Sequence, residues 1–404
     1  MKPDLTSPLM RPSHRPVNSC FSSGPTKKRP GWSPEILADA CLGRSHRAKP
    51  GKAKLNQCLD MMRDLLRLPD DYLIGIVPAS DTGAVEMAMW SMLGARGVDL
   101  FGWEAFGKTW ITDVTKQLKL DDVRIFDAPY GQLPDLHQAD DDRDVVMTWN
   151  GTASGVKVID DSWINTDRAG LIIADSTSAA FAMPMPIEKL DVVTFSWQKS
   201  LGGEAAHGVI ILSPKAVARL EGYTPPWPVP KIFQMAKAGK LIDGIFKGAT
   251  INTPSMLCVE DAIDALTWAN DIGGLDGLIA RVDANFNVIK AWVETHDSLA
   301  FLAEDPRTIS PTSITLKITA DWFTSAEPED QKVMAKALTA KLEEEGVAFD
   351  IDAYRDAPAG LRIWGGPTVD AADLEALTPW IDWALAEVAQ ELPNTAPQTI
   401  AAKG

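Results

Sequence analysis

Lys199 follows the apolar run DVVTFS (191–196) after Trp197 and Gln198, and opens the glycine-containing turn SLGGEAAH before the next apolar run, GVIIL (208–212). A lysine in that position can act as a Schiff-base nucleophile, because desolvation and neighbouring cations lower an ammonium pKa. The preceding run, GLIIAD (170–175), ends on Asp175 and continues into STSAAF. A carboxylate at the end of an apolar strand needs a cation or hydrogen-bond donors to offset its desolvation. A protonated pyridine nitrogen is one such partner, and that pairing makes the ring a better electron sink. VVMTW (145–149) runs into Asn150-Gly151-Thr152-Ala153-Ser154-Gly155, rich in hydroxyl and amide groups. IVP (76–78) runs into Ala79-Ser80-Asp81-Thr82-Gly83-Ala84. Small residues with free N–H groups at a helix start make a phosphate cradle. Taken singly, these features also read as a surface lysine and ordinary helix caps. Their joint placement at strand ends favours a ligand site, since open α/β sheets bind ligands outside the carboxyl ends of their strands.

The elements that must position these residues are legible in the apolar pattern. The runs YLIGIV (72–77), DVVMTW (144–149), GLIIAD, DVVTFS and GVIIL are strand-length and nearly unalternated, as strands buried on both faces are. Helical patterns lie among them, at 51–68, ending before Pro69, and at 83–96. Strands joined by helical crossovers imply an α/β sandwich on a mostly parallel sheet. After Pro254 two long helical patterns fill 255–295. A smaller α+β unit follows, with strands ITLKIT (314–319) and AGLRIW (359–364) and helices at 329–345 and 370–391. The expected division is a flexible arm over 1–16, a large unit over 17–285, a small unit over 286–392 and a flexible tail over 393–404.

Composition narrows the function. The 404 residues carry 55 acidic and 39 basic side chains, a formal net charge of −16, so a nucleic-acid partner is not expected. Four cysteines without CxxC spacing argue against zinc and against a secreted disulfide framework. No apolar run approaches the ~20 residues of a membrane helix, and the polar start lacks a signal-peptide core, which gives a cytoplasmic expectation. No Walker loop, GxGxxG, HExxH or GxSxG occurs.

The segments FSSGPTKKRPGW, RSHRAKPGK, VVTFSWQKSLGG and INTPSM, in this order, resemble the phosphoserine aminotransferase family of class V aminotransferases. The resemblance runs from about Val17 to Gln390. It implies a fold-type I architecture, with a mostly parallel central sheet in a large domain and a smaller α+β C-terminal domain. It also implies pyridoxal 5'-phosphate as cofactor and a homodimer with shared active sites. Lys199 would carry the cofactor, Gln198 would touch its phosphate, Asp175 would pair with the pyridine nitrogen and Thr152 would bond the ring oxygen. Ser80, Asp81 and Thr82 match the phosphate loop, and Asn252 and Thr253 match the pair lent by the neighbouring subunit. Phe106 falls where the family stacks an aromatic on the ring, with Trp103 and Trp110 as rivals. Arg362 matches the arginine for the substrate α-carboxylate. His46 and Arg47 match the segment reaching the substrate phosphate, and Tyr354-Arg355 matches a His-Arg pair of the bacterial branch.

The implied reaction moves an amino group between glutamate and 3-phosphohydroxypyruvate, giving phosphoserine and 2-oxoglutarate, with 4-phosphohydroxythreonine as a possible side product in vitamin B6 synthesis. The chain departs from the bacterial branch in three places. Its phosphate loop lacks an arginine, Phe106 replaces a tryptophan and Tyr354 replaces a histidine, as in a divergent subgroup. The rival readings are an alanine- or serine-glyoxylate aminotransferase, and a non-catalytic binding protein on the same fold. A cysteine desulfurase is disfavoured because no cysteine follows Cys258.

Overall fold

The computed structural model describes residues 8–391. Its central sheet has seven strands: β1 (Leu73–Pro78), β2 (Val98–Gly102), β3 (Val123–Asp127), β4 (Asp144–Thr148), β5 (Ile172–Asp175), β6 (Val192–Ser196) and β7 (His207–Leu212). They lie in the order β1-β7-β6-β5-β4-β2-β3. Only β7 runs against its neighbours; the other six strands are parallel. The chain therefore leaves β1, β2, β4, β5 and β6 at the same edge of the sheet, and the turns that follow them converge there.

Every residue of β2, β4, β5, β6 and β7 is buried, because helices cover both faces. On one face Leu55, Leu59 and Met62 of α1 (Lys49–Leu66) pack with Ile74, Phe195 and Trp197. On the other, Val85 and Met89 of α2 (Ser80–Met92) pack with Val98 and Ile210. The helix expected from Gly83 starts at Ser80, so Ser80, Asp81 and Thr82 lie in its first turn. α1 ends as expected before Pro69, at Arg67 in the left-handed region (φ 54°).

Strands β2 and β3 were not among the expected runs. In β2 the apolar pattern is broken by Asp99, fully buried and held by Arg124 and by Arg143 (2.7 Å). In β3, at the sheet edge, no residue is fully buried.

The small unit has an antiparallel sheet, β8 (Leu299–Phe301), β9 (Ser313–Ile318) and β10 (Gly360–Trp364). Its core gathers Ile314, Leu338, Trp364, Leu377 and Trp380. The boundary expected at 285/286 falls inside one continuous helix, Gly274–Val293: Leu278 joins the large core, whereas Ile289 and Val293 join the small one. The N-terminal segment also belongs to the small unit. Phe21 lies in its core, Phe349 N–H donates to Ser19 and Trp364 N–H to Phe21. The described part of the expected flexible arm, residues 8–16, lies on the same unit. There Arg11 and Arg15 pair with Glu345, and Trp380 Nε1 donates to His14 O at 2.7 Å. Residues 1–7 and the tail 393–404 fall outside the described residues.

Candidate active site

The turns after β1, β4, β5 and β6 meet around a cavity of about 200 Å³. Ser80, Asp81, Thr82, Phe106, Thr152, Asp175, Gln198 and Lys199 all line it, together with Gly24, Trp110, Thr148 and Thr177. Eight residues expected from sequence are thus brought to one place from five segments of the chain.

Lys199 is buried, and its Nζ donates to Ser23 O. Burial pushes its pKa down to about 8, aided by the positive charge of Arg362; Asp175, Glu104 and Asp81 pull the other way. The N-terminal segment roofs this lysine. Thr26 N–H donates to Gln198 O at 2.9 Å, and Thr26 Oγ1 donates to Lys199 O at 2.6 Å. Gly24 makes the closest approach, where a Cβ would stand 2.5 Å from Lys199 Nζ. Lys27 then pairs with Asp370 (3.2 Å) and Asp373 (3.3 Å), and Lys28 with Asp261 (2.7 Å), tying the roof to both units.

Asp175, 6% exposed, accepts from Trp110 Nε1 at 3.1 Å and from Thr177 N–H at 3.1 Å. Thr152 Oγ1 donates to Ser178 Oγ at 2.9 Å, and Ser178 Oγ donates to Asn150 O at 2.9 Å, which fixes the turn after β4. The turn into α2 holds Ala79 and Ser80 at φ 68° and 54°, costly for residues with a Cβ. β7 backs this turn: a Cβ at Gly208 would stand 2.1 Å from Ser80 O, so only glycine lets the strand lie against it.

Glu104 was not expected from sequence. It is fully buried, caps α3 (Ala105–Thr112) by accepting from Gly107 N–H at 2.8 Å, and also accepts from Ala153 N–H at 3.2 Å. Burial pushes its pKa up to about 7. Trp110 was expected only as a stacking rival to Phe106; its indole N–H points instead at Asp175. Trp103 is directed away, donating to Val156 O at 3.0 Å.

Tyr354, Arg355 and Arg362 line a second, open cleft of about 330 Å³. The Tyr354 ring links it to the first, standing 5.4 Å from the Phe106 ring, with Arg362 and Arg355 at 5.4 and 5.6 Å from its centroid. Burial lowers the Arg362 pKa, and its Nε has no hydrogen-bond partner among the described residues. His46, Arg47, Asn252 and Thr253 line neither cleft. Arg47, Asn252 and Thr253 are exposed and His46 is half-buried, in loops that precede α1 and the helix Met256–Asp271.

The cavity suits a flat, polar, phosphorylated ring. Asp81 Oδ1, Thr148 Oγ1, Thr177 Oγ1 and Gln198 Oε1 are buried without partners among the described residues. An unsatisfied buried polar group costs ~1–3 kcal/mol, so four on one cavity wall suit a ligand that hydrogen-bonds them. The lysine amine, the anchored carboxylate and the first turn of α2 match in turn the carbonyl, ring nitrogen and phosphate of pyridoxal phosphate. No group of His, Cys, Asp and Glu among the described residues could hold a metal ion.

No family model matches the chain. The curated phosphoserine aminotransferases of Methanosarcina mazei and Methanosarcina barkeri are each 56% identical to it over 375 residues, 93% of this chain and 99% of theirs. Among solved structures, the phosphoserine aminotransferase of Cytophaga hutchinsonii aligns with a TM-score of 0.73 at 20% identity, covering 89% of this chain and 97% of its own. The alanine–glyoxylate aminotransferase of a Nostoc species aligns with a TM-score of 0.75 at 17% identity, covering 94% and 97%. Similarity of that second kind shows the shared fold, whereas the two Methanosarcina relatives show the family. The chain belongs to the phosphoserine aminotransferase family.

Proposed function

We propose that this protein transfers the amino group between glutamate and 3-phosphohydroxypyruvate, forming phosphoserine and 2-oxoglutarate, with pyridoxal 5'-phosphate as cofactor. The observation that carries the reading is the joint placement of Lys199 and Asp175 on one buried cavity at the ends of adjacent parallel strands. When bound, the cofactor supplies an electron sink for charge developing at the substrate α-carbon. Lys199 would hold the cofactor through its carbonyl, and its free amine would take and return the α-proton; a pKa lowered to about 8 gives it a neutral fraction at working pH. Asp175, held by Trp110 and Thr177, would pair with the ring nitrogen, while Thr152 would bond the ring oxygen and Phe106 would stack on the ring. Ser80, Thr82, Gln198 and the first-turn N–H groups of α2 hold the phosphate.

Arg362 takes the α-carboxylate by a bidentate pair, and Arg355 beside Tyr354 faces the far end of the substrate, its phosphate. Asn252, Thr253, His46 and Arg47 act from the second subunit of a homodimer, a reading supported by the exposure of Arg47, Asn252 and Thr253 and by the absence of all four from the lining of this chain's own cavity. Formation of 4-phosphohydroxythreonine for vitamin B6 synthesis and a cytoplasmic location belong to the same reading. Four cysteines, none bonded to another, suit a reducing compartment.

The test is single-turnover absorbance of the holoenzyme with phosphoserine, then with serine and alanine. Conversion of the cofactor to its amino form by phosphoserine alone supports the assignment. Equal conversion by serine or alanine would move the enzyme to the glyoxylate aminotransferases, whose fold it shares.

A further inference from the structure

The phosphate loop carries a carboxylic acid where an anion is to be bound. Asp81, the second residue of α2, is 6% exposed and lines the same cavity as Asp175. Both carboxyl groups are 6% exposed and line the one cavity of about 200 Å³, with Thr177 beside them on its wall. No lysine or arginine pairs with Asp81, and its Oδ1 has no hydrogen-bond partner among the described residues. Asp175 differs: both its oxygens already accept N–H bonds. Two ionised carboxylates cannot share a dry contact, whereas an acid and a carboxylate form a strong O–H···O⁻ bond.

We propose that Asp81 is a positioning residue that holds a proton and donates it in a hydrogen bond to Asp175, so that the pair carries one negative charge. Two consequences follow for the site described under the proposed function. The ring-binding carboxylate is oriented from a third side. The start of α2 also keeps its anion-binding character, because a neutral Asp81 does not repel a phosphate as an ionised one would. The other titratable groups near the pair are Lys199, from the turn after β6, and Glu104, from the turn after β2. His207, the register partner of Pro78, is kept neutral by burial, its pKa lowered to about 4. Burial and the Asp175 charge raise the Asp81 pKa well above the usual carboxyl range.

Infrared difference spectra at neutral pH test this on the full-length chain, as purified and after removal of bound cofactor. The expected result is a protonated-carboxyl C=O band in the wild type that is lost in both Asp81→Asn and Asp81→Ser. Using two variants guards against one that fails to fold. Glu104, its pKa raised to about 7, contributes a band of its own, so the chains are compared in a Glu104→Gln background. There, a spectrum without the band when Asp81 is intact, or a band that survives in a folded Asp81 variant, overturns the assignment. Thermal midpoints of the cofactor-free chains give a second readout. The native state of the wild type holds a proton that the unfolded state releases above its ordinary carboxyl pKa. Asp81→Asn should therefore gain stability relative to wild type as pH rises. A variant less stable than wild type by the same margin at acid and alkaline pH would mean a merely structural side chain. Both readings are taken without substrate, so they stand apart from which amino acid the enzyme uses.

Discussion

Trp110 Nε1 lies 3.1 Å from Asp175 Oδ2, a bond between the interior of α3 and the end of β5 that spans 65 residues of sequence. Trp110 is only 3% exposed, so no water can replace it as a donor. Replacing it with phenylalanine keeps most of the apolar volume but leaves a buried carboxylate one donor short. Trp110→Phe should lower unfolding stability by roughly 1–3 kcal/mol. It should also loosen the ring-binding carboxylate and speed cofactor loss. Urea denaturation and the rate of cofactor release on dilution check the two effects.

Lys199 gives a pH dependence with a defined sign. Its amine must be neutral to react with a carbonyl, and its pKa is lowered to about 8, chiefly by burial and secondarily by Arg362. The rate at which the cofactor-free chain takes up pyridoxal phosphate should rise with pH and level off above about 8. Below that it should fall about tenfold per pH unit. Stopped-flow absorbance across the range reads this directly. Arg362→Gln removes the nearby cation and should move the midpoint upward.

Much of this site was legible because strand ends are legible. The apolar runs ending at Asp175, Ser196 and Trp149 hold β5, β6 and β4, and a mostly parallel sheet brings their ends together. Trp110 and Glu104 were harder to read. Nothing local distinguishes the Trp110 indole, which reaches Asp175, from that of Trp103, which bonds Val156 O; only the orientation of α3 separates them. Glu104 carries no local signal, since its two N–H donors belong to the backbone of Gly107 and of Ala153, the latter 49 residues away. β2 was missed because buried Asp99 interrupts it, and its partners Arg124 and Arg143 lie outside the strand.

Glu104 carries its own prediction. Its pKa in the folded chain is raised to about 7 from an ordinary 4.5, because burial disfavours the charge. The native state thus binds more protons than the unfolded state between those values. Its contribution is fully present below about 4.5 and is lost as pH rises through about 7. Glu104→Gln should flatten that part of the wild-type profile of thermal midpoint against pH. It should also lower stability by roughly 1 kcal/mol at the acid end, where one backbone N–H meets an amide NH₂.

Arg362 tests substrate recognition separately from the cofactor. Its guanidinium is largely buried, packs over Tyr354 and leaves Nε free to donate. Lysine keeps the charge but not the fork. Arg362→Lys should therefore bind the cofactor normally, while KM for glutamate and for phosphoserine rises roughly tenfold to a hundredfold, the value of a charged hydrogen bond. Equal KM values in variant and wild type would place the carboxylate elsewhere, with Arg355 as the next group along the Tyr354 ring.

Subunit sharing can be decided by complementation. Lys199 lines the buried cavity, whereas Arg47 is exposed in the loop before α1 and lines neither cleft. If Arg47 serves the neighbouring subunit's site, Lys199→Ala and Arg47→Ala chains will each be inactive or nearly so as homodimers. Unfolded and refolded together in equal amounts, they will form mixed dimers in which one of two sites pairs an intact Lys199 with an intact Arg47. Random assembly makes half the dimers mixed, so the mixture should recover about a quarter of the wild-type rate. Were Arg47 to act within its own chain, both sites of a mixed dimer would stay defective. The mixture would then show no gain over the separate variants.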